Sequence, residues 1–232
     1  MKHEEERRLV GRSSRGRRAG VGLALLVICY SAFCRASQDS ATTPPQHDPQ
    51  LFARAQRLVE QKHYLAAAQV YEQIIRTDPR SFEALNNLGV LEAHLGKYAQ
   101  AADAYERALR LKPRSFPLLV NLGLCYFKNG NFKSAVKPLA GAVSQQPENF
   151  QARTLLAMSY YSDKDFKAAS AEFERAIALK PDNQTLQYLL AQSYLESKQD
   201  QKLLNFFQQL LRRFPKSFTI DMLLGEADDG LD

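Results

Sequence analysis

The chain has 232 residues, 45% of them hydrophobic, a length that allows one or two compact domains. Its net charge of +6 would suit a nucleic-acid ligand, but residues 1–36 hold eight basic and three acidic side chains. The rest of the chain carries only +1 and lacks a basic stripe with interleaved aromatic residues. We therefore do not expect nucleic-acid binding.

The N-terminus has the pattern of an export signal. Residues 1–20 are basic and rich in glycine, and residues 21–34 form an apolar run of 14 residues, VGLALLVICYSAFC. This run is shorter than the roughly 20 residues that a membrane-spanning helix needs. We expect residues 1–36 to be a signal peptide cleaved after Ala36, which makes the protein periplasmic or extracellular. An uncleaved N-terminal anchor formed by residues 21–34 remains the alternative, and a lipoprotein is less favoured because Phe33 precedes Cys34.

Residues 37–47 come next, with the sequence SQDSATTPPQH. They are polar and contain two prolines, so they offer little apolar surface to bury. We expect a disordered linker.

Prolines then recur at a constant spacing of 34 residues, at Pro79, Pro113, Pro147, Pro181 and Pro215. A fixed period of this length is the signature of a repeat architecture. Five units fill the chain, at residues 48–81, 82–115, 116–149, 150–183 and 184–217.

The second unit shows what each repeat contains. Its first half places Leu85, Leu88, Gly89 and Glu92 on one face of an amphipathic helix, which Gly96 ends. A second apolar stripe follows at Tyr98, Ala101, Tyr105 and Ala108. Because the turn between them is so short, the two helices must be antiparallel, and a pair this small needs neighbours to cover its apolar faces.

Two places in the repeat indicate how the helices pack. The eighth place is always small, where a larger residue would force the two helices of a pair apart. The twenty-fourth place is always bulky and fills the space between pairs. These residues are Ala55, Gly89, Gly123, Ala157 and Ala191 at the eighth place, and Tyr71, Tyr105, Leu139, Phe173 and Phe207 at the twenty-fourth.

This pattern resembles the tetratricopeptide repeat (TPR) family, whose 34-residue helix–turn–helix unit carries Leu-Gly, Tyr, Ala, Phe and Pro at fixed places. The third unit matches with Leu122-Gly123, Tyr126, Ala135, Leu139 and Pro147. The resemblance implies an all-α fold, a right-handed α-solenoid of five antiparallel helix pairs, with the first helices lining its concave side. The departures are Arg54 in place of Leu, Glu92 and Leu58 in place of Tyr, and Asp200 where the earlier units have Tyr or Phe.

Residues 218–232 restart the pattern, since Phe218, Leu224 and Gly225 match the first, seventh and eighth places of a unit. We expect either a partial sixth repeat or a solvating end helix there.

The sequence offers no constellation of catalytic or metal-binding residues. Its four histidines share no ligand spacing with one another or with Cys125, and it has neither a glycine-rich phosphate loop nor a nucleophile elbow. We therefore expect no enzymatic activity, no cofactor and no metal.

Function is then expected from the surface of the first helices, one turn away from the packing face. We predict a groove there for an unidentified protein or peptide, with apolar side chains filling pockets and Asn87 and Asn121 bonding a peptide backbone. Some of these side chains could instead simply pack against the adjoining unit. The candidate residues are Phe52, Gln56, Asn86, Asn87, Val90, Asn121, Leu124, Phe127, Met158, Tyr161, Tyr188 and Gln192.

Two further hypotheses follow from the same residues. The chain could be the substrate-selecting arm of a larger enzyme, such as a glycosyltransferase, or it could form homo-oligomers through the open end after Phe206 and Phe207. Recognition of chaperone tails is disfavoured, because the family members that grip a C-terminal carboxylate do so with Lys and Arg that are missing beside Asn87 and Asn121.

Overall fold

The computed structural model describes residues 48–213, and within that range it contains helices and no strands. The helices are α1 (Pro49–Glu60), α2 (Tyr64–Thr77), α3 (Phe82–His94), α4 (Tyr98–Leu111), α5 (Phe116–Lys128), α6 (Phe132–Gln145), α7 (Phe150–Ser162), α8 (Phe166–Leu179), α9 (Gln184–Glu196) and α10 (Asp200–Arg213). Each packs on the helix before it and the helix after it. The predicted solenoid of helix pairs is confirmed, whereas residues 1–47 and 214–232, with the expected signal, linker and end helix, lie outside the described residues.

The first helix of each pair starts at a side-chain cap in most units. Ser81, Asn149 and Asn183 accept hydrogen bonds from the backbone N–H three residues further on. Asp48 does the same for α1, where Pro49 occupies the first turn and needs no N–H partner. These caps fix the point at which the chain enters each repeat.

The turn inside each pair has the same backbone geometry five times. The fifteenth residue of every unit has a positive φ, and the N–H of the next residue bonds to the carbonyl five residues before it. Gly96 and Gly130 adopt this conformation without strain, but three units use lysine there. The five residues are Lys62 (φ 62°), Gly96 (76°), Gly130 (78°), Lys164 (64°) and Lys198 (55°).

The core follows from the two places that the sequence singled out. A Cβ atom on Gly89 would lie 2.7 Å from the Tyr105 ring, and one on Gly123 would lie 2.4 Å from Cγ of Leu139. Tyr105 and Leu139 are themselves buried. The first helix therefore lies directly on the bulky residue of its own pair, as the small eighth place predicted.

Pro138 is buried within α6, which continues on both sides of it from Phe132 to Gln145. The proline has no N–H for the carbonyl of Ser134, so one hydrogen bond of this helix is missing.

We predict opposite effects of adding a methyl group to two glycines. Gly123→Ala should lower the free energy of unfolding by about 1 to 3 kcal/mol, because buried Leu139 cannot move away from the new Cβ. Gly141→Ala is the control, since its Cβ would lie 3.5 Å from Leu119, and it should stabilise the protein by about 0.5 to 1 kcal/mol. Urea unfolding followed by circular dichroism measures both, and equal effects would contradict this account of the eighth place.

Candidate functional site

The predicted groove residues lie on the five first helices, and none of them is buried in the core. Gln56 and Val90 are exposed, with Val90 showing 47% of its surface. The other ten are half-buried. The first-helix face, defined here by these twelve residues, thus presents side chains that are supported at their base and accessible at their ends.

The face contains a cleft of about 500 Å³ where α1, α2 and α3 meet. Gln56, Asn87 and Val90 line it, together with Tyr71 from the second helix of the first pair. Three of the predicted residues therefore meet around one concavity.

Asn87 is held in place by Tyr71. Its Nδ2 donates a hydrogen bond to the Tyr71 hydroxyl at 3.1 Å, and Asn121 makes the corresponding bond with Tyr105 one repeat later. Burial raises the pKa of the Tyr71 hydroxyl, which keeps this group protonated at neutral pH. Each amide keeps a carbonyl oxygen and a second N–H for other partners, so the bond orients Asn87 and Asn121 without using all their hydrogen-bonding capacity.

The character of the face changes along the chain. In the fourth and fifth units Leu155 and Leu189 stand at the place of Asn87. The aromatic rings there rest edge-on against the second helix of their own pair, with centroids 5.3 Å apart for Phe127 and Phe132 and 5.4 Å apart for Tyr161 and Phe166. The face is polar over the first three units and apolar over the last two.

The opposite side of the array carries clefts that the sequence reading missed. Three of them recur at equivalent places, where the second helix of one pair meets both helices of the next, with volumes of about 740, 930 and 490 Å³. We call them the first, middle and last outer clefts. Each is lined by a Glu at the twenty-fifth place and by a Leu, a Pro and the residue at the eleventh place of the next unit. The Glu residues are Glu72, Glu106 and Glu174, and the eleventh-place residues are Glu92, Tyr126 and Tyr194.

A tyrosine hydroxyl links neighbouring repeats in two of these clefts. Tyr126 donates to the carboxylate of Glu106, and Tyr194 donates to Glu174 at 2.7 Å. Glu174 also accepts from Lys202 at 2.9 Å. A Glu followed twenty residues later by a Tyr is the sequence signal that could have identified these links.

The first outer cleft has a carboxylate where the others have the tyrosine. Glu92 is buried and forms an ion pair with Lys97 at 3.3 Å, yet its Oε2 accepts no hydrogen bond from any described residue. Glu92 cannot repeat the tyrosine's link, because an ionised carboxylate has no proton to donate to Glu72.

The described residues contain no group of three metal-ligating side chains. None of the helices between Pro49 and Arg213 is long and apolar enough to cross a membrane. Burial raises the pKa of the Cys125 thiol to about 11, so this cysteine stays protonated and unreactive at neutral pH. His63 and His94 are exposed, and the His94 ring packs edge-on against Tyr64 at 4.3 Å.

Stacked helix pairs with open faces on both sides define a helical-repeat solenoid, a class of protein that works through its surfaces. Two family models of the tetratricopeptide repeat match the chain, one at residues 52–116 and the other at residues 92–159 and 160–227. The protein therefore belongs to the tetratricopeptide repeat family.

Solved structures show the same fold. MamA from Desulfovibrio magneticus RS-1 is 21% identical, with a TM-score of 0.59 over 73% of this chain and 97% of that one. YrrB, described as a TPR protein with an unusual peptide-binding site, is 20% identical, with a TM-score of 0.63 over 82% of this chain and 95% of that one. No curated protein matches the chain by sequence.

Tyr126 should titrate well above a free tyrosine. Burial, and then the hydrogen bond to Glu106 and its negative charge, raise the pKa of Tyr126 to about 12 from 10.0. The folded protein therefore keeps a proton that the unfolded chain releases. This contribution to stability is complete below about pH 10 and is lost as the pH rises to about 12.

The phenolate absorbance of the native protein, followed from about pH 9 to about pH 12, measures this titration. Tyr126→Phe should remove one late-titrating group, and Glu106→Gln should lower the pKa of Tyr126. A wild-type titration curve that Tyr126→Phe leaves unchanged at its alkaline end would show that the link to Glu106 does not form.

Proposed function

We propose that this protein is a non-catalytic scaffold that binds an extended or helical segment of another protein on its first-helix face. The observation that carries the proposal is the continuous row of half-exposed apolar, aromatic and amide side chains over five successive pairs. The printed description of YrrB, a protein of the same fold with a peptide-binding site, supports it.

The two parts of the face suit different parts of a ligand. Asn87 and Asn121, oriented by Tyr71 and Tyr105, can exchange hydrogen bonds with a peptide backbone. Further along, the supported rings of Phe127 and Tyr161 offer flat apolar surface to side chains. Because these groups are already held in place, binding orders little of the protein and loses little entropy.

We also propose that the protein acts outside the cytoplasm, exported by residues 1–36 or anchored through residues 21–34. The basic stretch followed by a 14-residue apolar run supports this location.

Truncating the apolar part of the face should weaken peptide binding. Peptides selected from a random library on the wild-type repeats should bind Asn121→Ala/Phe127→Ala/Met158→Ala at least tenfold less tightly, because few interface residues carry most of the energy. Fluorescence anisotropy measures the affinity, and unfolding curves show whether the variant remains folded.

Leu65→Ala is the matched control, since Leu65 is 54% exposed but belongs to a second helix. If losing the Phe127 ring destabilises α5, Val90→Ala/Met158→Ala replaces the triple variant. A folded variant that binds as tightly as the wild type would overturn the proposed groove.

Export is tested separately. Residues 1–36 fused to an alkaline phosphatase without its own signal should give enzyme activity in a bacterial host, because that enzyme is active only after export. Replacing Leu25 and Leu26 by Arg interrupts the apolar run and should abolish the activity. An inactive wild-type fusion would contradict the extracytoplasmic location without affecting the groove.

A further inference from the structure

The three outer clefts have the same construction but different charges. The middle cleft, between α4, α5 and α6, is lined by Arg114, Lys133 and Lys137 and by a single carboxylate, Glu106. That carboxylate already accepts the hydrogen bond of Tyr126. The charged groups around this cleft therefore leave a net positive charge of two.

The cations of the other two clefts are all neutralised. Arg76 and Arg107 pair with Glu72 and Asp103 in the first outer cleft. In the last outer cleft, Lys202 pairs with Glu174 and Arg213 with Asp182.

The middle cleft is different in this respect. Arg114, Lys133 and Lys137 are exposed, and none of them forms an ion pair with another residue between 48 and 213. Three cations around one concavity repel each other and gain by binding an anion.

The middle cleft is also the largest of the three, at about 930 Å³. Gly141 explains the difference, because the equivalent twenty-sixth place holds Arg107 in the first outer cleft and Gln209 in the last. The nearest atom to a Cβ on Gly141 would be 3.5 Å away, so the glycine leaves open space and is not required by close packing.

The walls of the middle cleft below the cations are apolar. Leu109, Leu119, Leu122 and Pro138 line it. A ligand that fits must therefore combine negative charge at the rim with an apolar group inside.

We propose that the middle cleft binds an acidic segment of a partner protein that inserts an apolar side chain between α4 and α6. Carboxylates of the segment pair with Arg114, Lys133 and Lys137, and the apolar side chain occupies the space that Gly141 leaves free. A nucleic-acid or lipid phosphate would satisfy the cations but would leave the leucine-lined interior empty. This site faces away from the proposed peptide groove and does not depend on it.

Three labelled peptides of equal length test the proposal. The first consists of Asp and Glu with a central Leu-Phe pair, the second has Ser-Ser in place of Leu-Phe, and the third has Lys in place of the acidic residues. Fluorescence anisotropy is measured at about physiological ionic strength, where exposed charges more than about 8 Å apart are screened from each other.

The wild type should bind the first peptide and not the third. Lys133→Glu/Lys137→Glu should weaken this binding roughly tenfold or more, because it replaces two attractions by two repulsions. Gly141→Gln should weaken it similarly by filling the cleft with the residue type of the last outer cleft. Lys164→Glu/Lys167→Glu changes the net charge equally away from the cleft and should leave the affinity unchanged.

Several results would overturn the proposal. They are the absence of binding by the first peptide, equal binding by Lys133→Glu/Lys137→Glu and the wild type, and equal binding of the Leu-Phe and Ser-Ser peptides. Competition by oligothymidylate or by phosphatidylserine vesicles that Gly141→Gln does not weaken would show a general polyanion surface instead. Unfolding curves of every variant ensure that a loss of binding is not a loss of structure.

Discussion

The contact between the eighth and twenty-fourth places of each pair is the constraint on which the rest of the structure depends. Gly89 and Gly123 let the first helix rest on Tyr105 and Leu139, with no room for even one methyl group. Because the same contact recurs in each unit, the helix pairs follow one another at similar spacing, and equivalent residues line up along each side. Both the first-helix face and the outer clefts are consequences of that regularity.

Much of the architecture could be predicted because its signals are local. The apolar stripes, the small eighth place and the punctuating prolines are read within 34 residues, and Leu85, Leu88 and Glu92 are buried together as their spacing predicted. The placement of the candidate residues outside the core follows from the same period. Which of them bind a ligand stays a prediction, since their role depends on a partner that the periodicity does not specify.

Other features could not be predicted because they join residues from different helices. Asn87 bonds to Tyr71, sixteen residues earlier, and each residue alone fits a ligand contact or a core position equally well. Gly141 reads as one more small residue in a helix until the position of Leu119 shows that the space beside it is open. The charge of the middle cleft likewise depends on which cations find partners, and ion pairing between helices leaves no period in the sequence.

The left-handed residue that ends each first helix has a consequence for how such an array evolves. Lys62, Lys164 and Lys198 hold a conformation that a side chain disfavours by about 1 kcal/mol, whereas Gly96 and Gly130 occupy it freely. Glycine recovers only part of that difference, because it also has more freedom in the unfolded chain. Exchange between lysine and glycine at this one place can thus adjust the heat resistance of a single unit, and such drift would leave what either surface recognises unaltered.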